Sequence, residues 1–157
     1  NSYKRLKAGT TTSGATWSPV YISYGYNNRT QMLRVPGPGR VEDRTIDGAC
    51  NPYLAATVIL AAGLDGIENK LDPGEPNTGN LYTTSPDDLE AAGVEMLPAN
   101  LLDATRELER DGVLREALGR GRDEDYVDYF IKVKRDEWTR YHEQVTPWEI
   151  KEYLTRF

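Results

Sequence analysis

Residues 53–64 form a run that is apolar nearly all round a helix, and this run constrains the fold more than any other stretch. Thr57 is the single polar exception within it. Asn51 is a favourable N-cap and Pro52 suits the first helical position, so a helix is predicted to begin there. A helix without a polar face has to be buried, and we therefore expect other segments to pack around it.

Three short stretches before this helix are predicted to be β-strands, at residues 19–24, 31–35 and 40–45. A Pro-Gly-Pro-Gly sequence marks a turn between the second and the third stretch. Because the connections are short, the three strands are predicted to form an antiparallel meander. Tyrosines of this region are interpreted as sheet packing or, alternatively, as a platform for an adenine base; they are Tyr21, Tyr24 and Tyr26.

Helical patterns dominate after the apolar run, with helices predicted at residues 101–112, 113–119, 123–144 and 147–157. In the longest of these, Val127 and Ile131 lie on one apolar stripe, and a capping box opens the last. The predicted fold class is α+β, with short antiparallel strands followed by a buried helix and a C-terminal helical bundle. The 157 residues divide into an arginine-rich strand region, 1–50, and a mainly helical region, 51–157.

Arginines and one glutamate recur at short intervals just before the apolar run. Arg40, Glu42 and Arg44 alternate with a period of two, which places all three side chains on one face of a strand. Arg29 and Arg34 lie upstream, and the turn would bring them to the same place. Guanidinium groups suit phosphate and carboxylate oxygens, and a carboxylate suits Mg²⁺. The alternative is an exposed strand whose alternating charges contribute little energy.

These residues belong to a longer series of motifs in a fixed order. The motifs are Asn1-Ser2-Tyr3-Lys4-Arg5-Leu6, Asn28-Arg29-Thr30, Leu33-Arg34-Val35-Pro36, Arg40-Val41-Glu42-Asp43-Arg44, Asn51-Pro52-Tyr53-Leu54 and Ala61-Ala62-Gly63-Leu64-Asp65-Gly66-Ile67. In this order they resemble the closing third of the glutamine synthetase catalytic domain. Residues 138–157 are similar to the bacterial branch of that family labelled type III.

The resemblance implies an ATP-dependent ligase that forms glutamine from glutamate and ammonia through a γ-glutamyl phosphate. Matched motif by motif, Arg5 and Arg44 would bind the substrate glutamate. Arg29 would act at the transferring phosphoryl group, and Arg34 and Arg40 would contribute to the ATP site.

The resemblance also implies that Glu42 is a ligand of Mg²⁺ or Mn²⁺. Phosphoryl transfer requires mainly positioning and positive charge at the phosphoryl oxygens, and arginines and divalent metals supply both. The chemistry of the residues therefore agrees with the roles that the resemblance implies.

Some positions depart from the family pattern and leave the acceptor amine open. Residues 7–19 form a longer loop, richer in Thr, Ser and Gly, than the usual Pro-Gly turn; Thr30 stands for a customary Ser, and Ile46 for a Pro. Relatives join glutamate to methylamine, anilines or polyamines with the same phosphoryl-transfer groups. One alternative is thus a γ-glutamyl ligase for an organic amine such as methylamine, and another is a non-catalytic helical interaction module.

The family's N-terminal β-grasp domain and its remaining metal-binding glutamates have no match in this chain. We therefore expect the chain to be the C-terminal part of a larger enzyme and to be inactive alone. The resemblance further implies that the full-length enzyme assembles as a homo-oligomeric ring.

Composition excludes several classes of partner. The net charge is −6; residues 1–45 carry seven Lys or Arg against two Asp or Glu, and the remainder is strongly acidic. The sequence lacks the basic stripe that is typical of nucleic-acid-binding proteins. It also contains no apolar run long enough to span a membrane. A single cysteine, Cys50, excludes an internal disulfide and fits a cytoplasmic protein. We interpret Cys50 as a small buried residue rather than a reactive thiolate.

Overall fold

In a computed structural model, the structure describes residues 2–7, 17–119, 121–154 and 156. The chain forms two compact units, Asn1–Asn100 and Leu101–Phe157. The described residues contain a three-stranded sheet, six α-helices and a short 3-10 helix, Ser2–Lys4. The predicted α+β class is confirmed. The loop predicted within residues 7–19 falls mainly on residues 8–16, which lie outside the described residues.

The sheet of the first unit contains β1 (Tyr24–Tyr26), β2 (Leu33–Gly37) and β3 (Arg40–Asp43), in that order. β2 and β3 are antiparallel around the predicted turn, where Gly39 adopts a φ of 72° that favours glycine. β1 and β2 are parallel. The antiparallel direction predicted for this first pair is therefore wrong.

The parallel pairing is possible because β1 is very short. Its three residues span about 10 Å, and residues 27–32 recross that distance easily, since six extended residues reach roughly 20 Å. Ser23 O accepts from Leu33 N at 3.0 Å, and Val35 O accepts from Asn27 N at 2.9 Å. A short connection does not impose antiparallel pairing when the strand is shorter than the connection.

The first unit has a small apolar core, and its buried hydrophobic side chains among the described residues are Val20, Leu81 and Leu89. Ile22 N donates to Glu95 O at 2.8 Å, which ties the segment before β1 to the segment after the helix α2 (Pro86–Ala91). The sequence pattern did not predict α2, which supplies the buried leucine at position 89.

The helix α1 (Pro52–Glu68) begins where the sequence predicts, and the Asn51 side chain accepts a hydrogen bond from Tyr53 N at 3.0 Å. No residue of α1 is buried, however, and Tyr53 and Ile67 are 83% and 74% exposed. The burial predicted for this helix is therefore not found among the described residues. Apolar composition indicates that another segment packs against a helix, but it does not identify that segment. Cys50 is also exposed, so its predicted burial is wrong.

The second unit contains α3 (Leu101–Arg110), α4 (Gly112–Leu118), α5 (Tyr126–His142) and α6 (Pro147–Tyr153). α3 and α4 contact α5, and the predicted stripe residues Val127 and Ile131 are buried on α5. Asp125 caps α5, which therefore begins slightly later than predicted. Thr146 and Glu149 form the predicted capping box of α6. Among the described helices, none combines the length and apolar character needed to cross a membrane.

Candidate anion-binding site

Arg34 and Arg44 share the carboxylate of Glu42. The register of β2 and β3 places Arg34 opposite Glu42, so their side chains lie on one face of the sheet. Arg34 Nη1 donates to Glu42 Oε2 at 2.8 Å, and Arg44 Nε donates to Glu42 Oε1 at 3.2 Å. The two arginine side chains are 16% and 14% exposed. The turn thus brings these three residues together, as their spacing in the sequence predicts.

Arg44 also connects this cluster to two other predicted site residues. Its Nη1 donates to the backbone carbonyl oxygen of Arg29. Arg5 Nη2 donates at 3.2 Å to the carbonyl oxygen of Thr45, the residue that follows Arg44. The Arg5 guanidinium and the Arg29 backbone therefore both lie beside the Arg44 segment.

Arg40 is the predicted site residue that the structure does not bring into contact with the others. It lies opposite Gly37 beside the turn, and it is exposed. It makes no ion pair with the described residues. A register shift lies between Arg34 and Gly37 of β2, so the period of two along β3 does not by itself place Arg40 beside Arg34.

Arg29 and Arg34 line an open cavity of about 660 Å³ in the first unit. The lining residues are Trp17, Tyr26, Asn27, Asn28, Arg29, Arg34 and Thr78. Arg34 shares the carboxylate of Glu42 with Arg44, whereas Arg29 has no carboxylate partner among the described residues. Arg29 is therefore the lining arginine whose charge no carboxylate of the described residues offsets.

Asn27 and Asn28 fix the loop that carries this uncompensated charge. Asn27 adopts a φ of 49°, and its Oδ1 accepts from Arg34 Nη2. Asn28 Oδ1 accepts from Thr30 N at 3.0 Å and from Thr30 Oγ1 at 2.7 Å, while its Nδ2 donates to Gly79 O at 2.8 Å. Such side-chain to backbone bonds hold a loop in one conformation.

The electrostatics of Glu42 follow from its two arginine partners. The hydrogen bond from Arg34, followed by that from Arg44, holds the pKa of the Glu42 carboxyl below its usual value. The carboxylate is therefore ionised at neutral pH, with a guanidinium on each oxygen.

The described residues do not fit a divalent cation by themselves. They contain no group of three or more Asp, Glu, His or Cys side chains that would hold a metal ion. Mg²⁺ and Mn²⁺ prefer several oxygen ligands, and both oxygens of Glu42 already accept from arginines. A cation at Glu42 therefore needs ligands from outside the described residues.

Trp17 has no site role predicted from the sequence, and the structure places it in the cavity wall. The available signal was a single tryptophan at the end of a loop otherwise rich in Thr, Ser and Gly. Tyr26, interpreted first as sheet packing, is 68% exposed and also lines the cavity. Periodicity did not identify Trp17 because it belongs to no repeating pattern, whereas Tyr26 was among the tyrosines for which an adenine platform was the alternative interpretation.

The sequence of this chain is similar to a known family model and to several curated proteins. The family model described as the glutamine synthetase catalytic domain matches residues 1–153. A glutamate–methylamine ligase from Methyloversatilis universalis is 50% identical over 157 residues, which are 100% of this chain and 34% of the relative. A glutamine synthetase from Rhizobium meliloti is 48% identical over 149 residues, 95% of this chain and 33% of the relative. The chain spans about a third of the length of these curated relatives.

Two solved structures are also similar to this chain. One, named as a GmaS/ADP complex, has a TM-score of 0.82 at 50% identity and covers 98% of this chain and 34% of that chain. The other, named as apo GmaS without ligand, has a TM-score of 0.78 at 45% identity and covers 98% of this chain and 32% of that chain. The fold described above is thus shared with part of those chains.

Proposed function

The chain belongs to the glutamine synthetase family, and we propose that it forms the C-terminal part of the catalytic domain of an ATP-dependent γ-glutamyl ligase. In the proposed reaction, a γ-carboxylate oxygen of glutamate takes the terminal phosphoryl group of ATP, and ADP leaves. An amine nitrogen then attacks the γ-carbonyl carbon, the bond from that carbon to the phosphate oxygen breaks, and phosphate leaves while the amine loses a proton.

The observation that carries this proposal is the uncompensated guanidinium of Arg29 in the cavity wall. Phosphoryl oxygens carry the negative charge that such a group attracts, and phosphoryl transfer depends on positioning and on positive charge. Arg34 lines the same cavity, and its buried Nε has no hydrogen-bond acceptor among the described residues. An anionic oxygen would satisfy a donor of this kind. We therefore assign Arg29 to the transferring phosphoryl group and Arg34 to the ATP phosphates.

The remaining roles follow the same chemistry. Arg5 contacts the backbone of Thr45, the residue that follows Arg44, and we assign both arginines to the carboxylates of the substrate glutamate. Arg40 is exposed and free of ion pairs with described residues, so it can contact ATP without breaking an internal pair. Glu42 would supply one metal ligand, to be completed by carboxylates from the rest of the protein.

The acceptor amine is either ammonia or methylamine. The 48% identical glutamine synthetase favours ammonia, and the 50% identical glutamate–methylamine ligase favours methylamine. Both acceptors use the same phosphoryl-transfer step, so the arginine cluster serves either reaction.

The proposal is tested with the complete polypeptide that contains this sequence. ADP release is measured with ATP, Mg²⁺ and glutamate, with ammonia or methylamine as acceptor, and with glutamate omitted as the control. We expect ADP release that depends on both glutamate and an amine, and no turnover from residues 1–157 alone. Absence of glutamate-dependent ADP release with either amine would reject the ligase and favour the non-catalytic module. Assembly as a ring and cytoplasmic location remain predictions from the resemblance.

A further inference from the structure

We propose that Trp17 and Tyr26 form the surface that binds the acceptor amine, and that this surface selects methylammonium over ammonium. The inference rests on the proposed γ-glutamyl ligase function, and it names the acceptor that the proposal above leaves open. It concerns the binding of a small primary alkylamine and adds no covalent step to the reaction.

The position of Trp17 in the sequence is the first support. The arginine motifs follow the family pattern, so they do not distinguish one acceptor from another. The loop at residues 7–19 departs from that pattern. Trp17 lies in this loop and lines the cavity that contains Arg29. The departing loop therefore contributes a large aromatic side chain at the place assigned to phosphoryl transfer.

The indole of Trp17 is held in place by its neighbours. Its ring centroid lies 6.3 Å from that of Tyr82, and the Tyr82 hydroxyl donates to Ser18 O at 2.6 Å. Trp17 adopts a φ of 52°, a backbone conformation that a bulky residue rarely adopts without tertiary support. The side chain remains 41% exposed. It is thus fixed by Tyr82 and still accessible to a ligand.

Tyr26 provides the second aromatic ring. It is the last residue of β1, paired with Val35 of β2, so its backbone is fixed by the sheet. Its side chain is 68% exposed and lines the same cavity. The other described lining side chains are arginines, amides and one hydroxyl. Within that described lining, the two aromatic rings therefore supply the large apolar contact surfaces.

The charge of the cavity permits a cation once the phosphoryl group is bound. Arg34 pairs with Glu42, a carboxylate that it shares with Arg44, and Arg29 has no carboxylate partner among the described residues. A phosphoryl group carries about two negative charges at neutral pH. A bound phosphoryl group therefore offsets the positive charge of Arg29, and its oxygens attract an alkylammonium ion.

Aromatic rings also distinguish the two candidate acceptors. Alkylammonium ions bind to the faces of Trp and Tyr through cation–π attraction, and an alkylamine with a pKa near the Lys value of about 10.4 is protonated at neutral pH. Ammonium shares the charge but lacks the methyl group. One such group in an apolar pocket changes selectivity by about tenfold or more. The two rings therefore favour methylamine.

The test is the ratio of kcat/KM for methylamine to kcat/KM for ammonia in the complete enzyme. We expect the wild-type ratio to exceed one and Trp17→Ala to lower it about tenfold, through KM for methylamine, with KM for ATP and glutamate unchanged. Trp17→Phe should retain most of the selectivity because it keeps an aromatic face. Trp148→Ala, at an exposed tryptophan of α6 outside the cavity, is the matched control and should leave the ratio unchanged.

Tyr26→Ala is the second variant; because Tyr26 is largely exposed, its replacement tests selectivity even where Trp17→Ala fails to fold. It should also lower the ratio. A wild-type preference for ammonia, or an unchanged ratio in Tyr26→Ala and in folded Trp17→Ala, would overturn the amine-binding role while the ligase stands. Absence of turnover by the wild-type enzyme with either amine would instead reject the ligase, and this inference with it.

Discussion

Arg34 and Glu42 lie directly opposite each other on β2 and β3, and their side chains form an ion pair of 2.8 Å. The single charge of Glu42 is shared with Arg44 and so offsets the charge of Arg34 only in part, while Arg29 has no carboxylate partner among the described residues. Glu42 thus has a structural effect that does not depend on any metal. It keeps Arg34 and Arg44 at a fixed distance from each other and limits the positive charge that the site presents.

Replacement of Glu42 by Gln is expected to change how stability depends on pH. The folded-state pKa of Glu42 lies below its usual value of 4.5 because Arg34 and Arg44 donate to it. The contribution of the ionised carboxylate is therefore complete above about pH 4.5 and is lost as the pH falls through the folded-state pKa. The melting temperatures of wild type and Glu42→Gln should differ modestly at neutral pH, since the carboxylate is 44% exposed, and converge in acid. A difference independent of pH would contradict this assignment.

Replacement of Arg29 by Gln is expected to lower kcat of the complete enzyme about 100-fold or more, because an arginine at the transferring phosphoryl group stabilises charge mainly in the transition state. KM for glutamate should change little. The matched control is Arg106→Gln on α3, which breaks an exposed pair with Asp103 and should leave the rate unchanged. Equal rates for both variants would exclude Arg29 from the reaction. Steady-state ADP release measures both.

The sequence predicted the site in part because its residues are close along the chain. Glu42 and Arg44 are two positions apart, and the turn before Arg40 brings Arg34 to them by strand pairing. The sequence did not predict that Arg44 would donate to the Arg29 carbonyl oxygen, because that contact depends on the parallel return from β1 to β2. Arg40 does not lie beside the other site residues as predicted. The register shift that displaces it arises only when β2 and β3 pair, so neither strand's sequence reveals it.

The helices also show which features the local sequence predicts and which depend on distant segments of the chain. α5 buries Val127 and Ile131 as predicted, because α3 and α4 of the same unit cover its apolar stripe. α1 begins at its predicted cap, yet its apolar side chains are exposed among the described residues. Caps and periodicity depend on a few neighbouring residues, whereas burial depends on which distant segment packs against the helix.

Replacement of Gly25 by Ala is expected to destabilise the first unit by about 1–3 kcal/mol, because overpacking of a fixed site costs energy of this order. A Cβ at Gly25 would clash with Asn77 O and would lie 3.1 Å from Gln31 Cγ. The Asn77 backbone cannot easily move, since its N–H donates to Tyr24 O at 2.8 Å. The control is Gly37→Ala, where a Cβ has no neighbour within 4 Å. Denaturant midpoints should fall for the first variant only, and equal midpoints would show that residues around Asn77 rearrange freely.

Replacement of Thr146 by Ala is expected to destabilise α6 by about 1 kcal/mol, the usual effect of losing an N-cap side chain. Thr146 Oγ1 accepts from Glu149 N at 3.2 Å, and the variant leaves that amide without its acceptor. Because no residue of α6 is buried, the loss should appear as local opening, with amide hydrogen exchange in Pro147–Tyr153 about fivefold faster. Thr139→Ala is the matched control, since its hydroxyl donates to Arg135 O within α5 and Ala is the better helix former there. If both variants left exchange in α6 unchanged, the capping box would not be what holds the start of this helix.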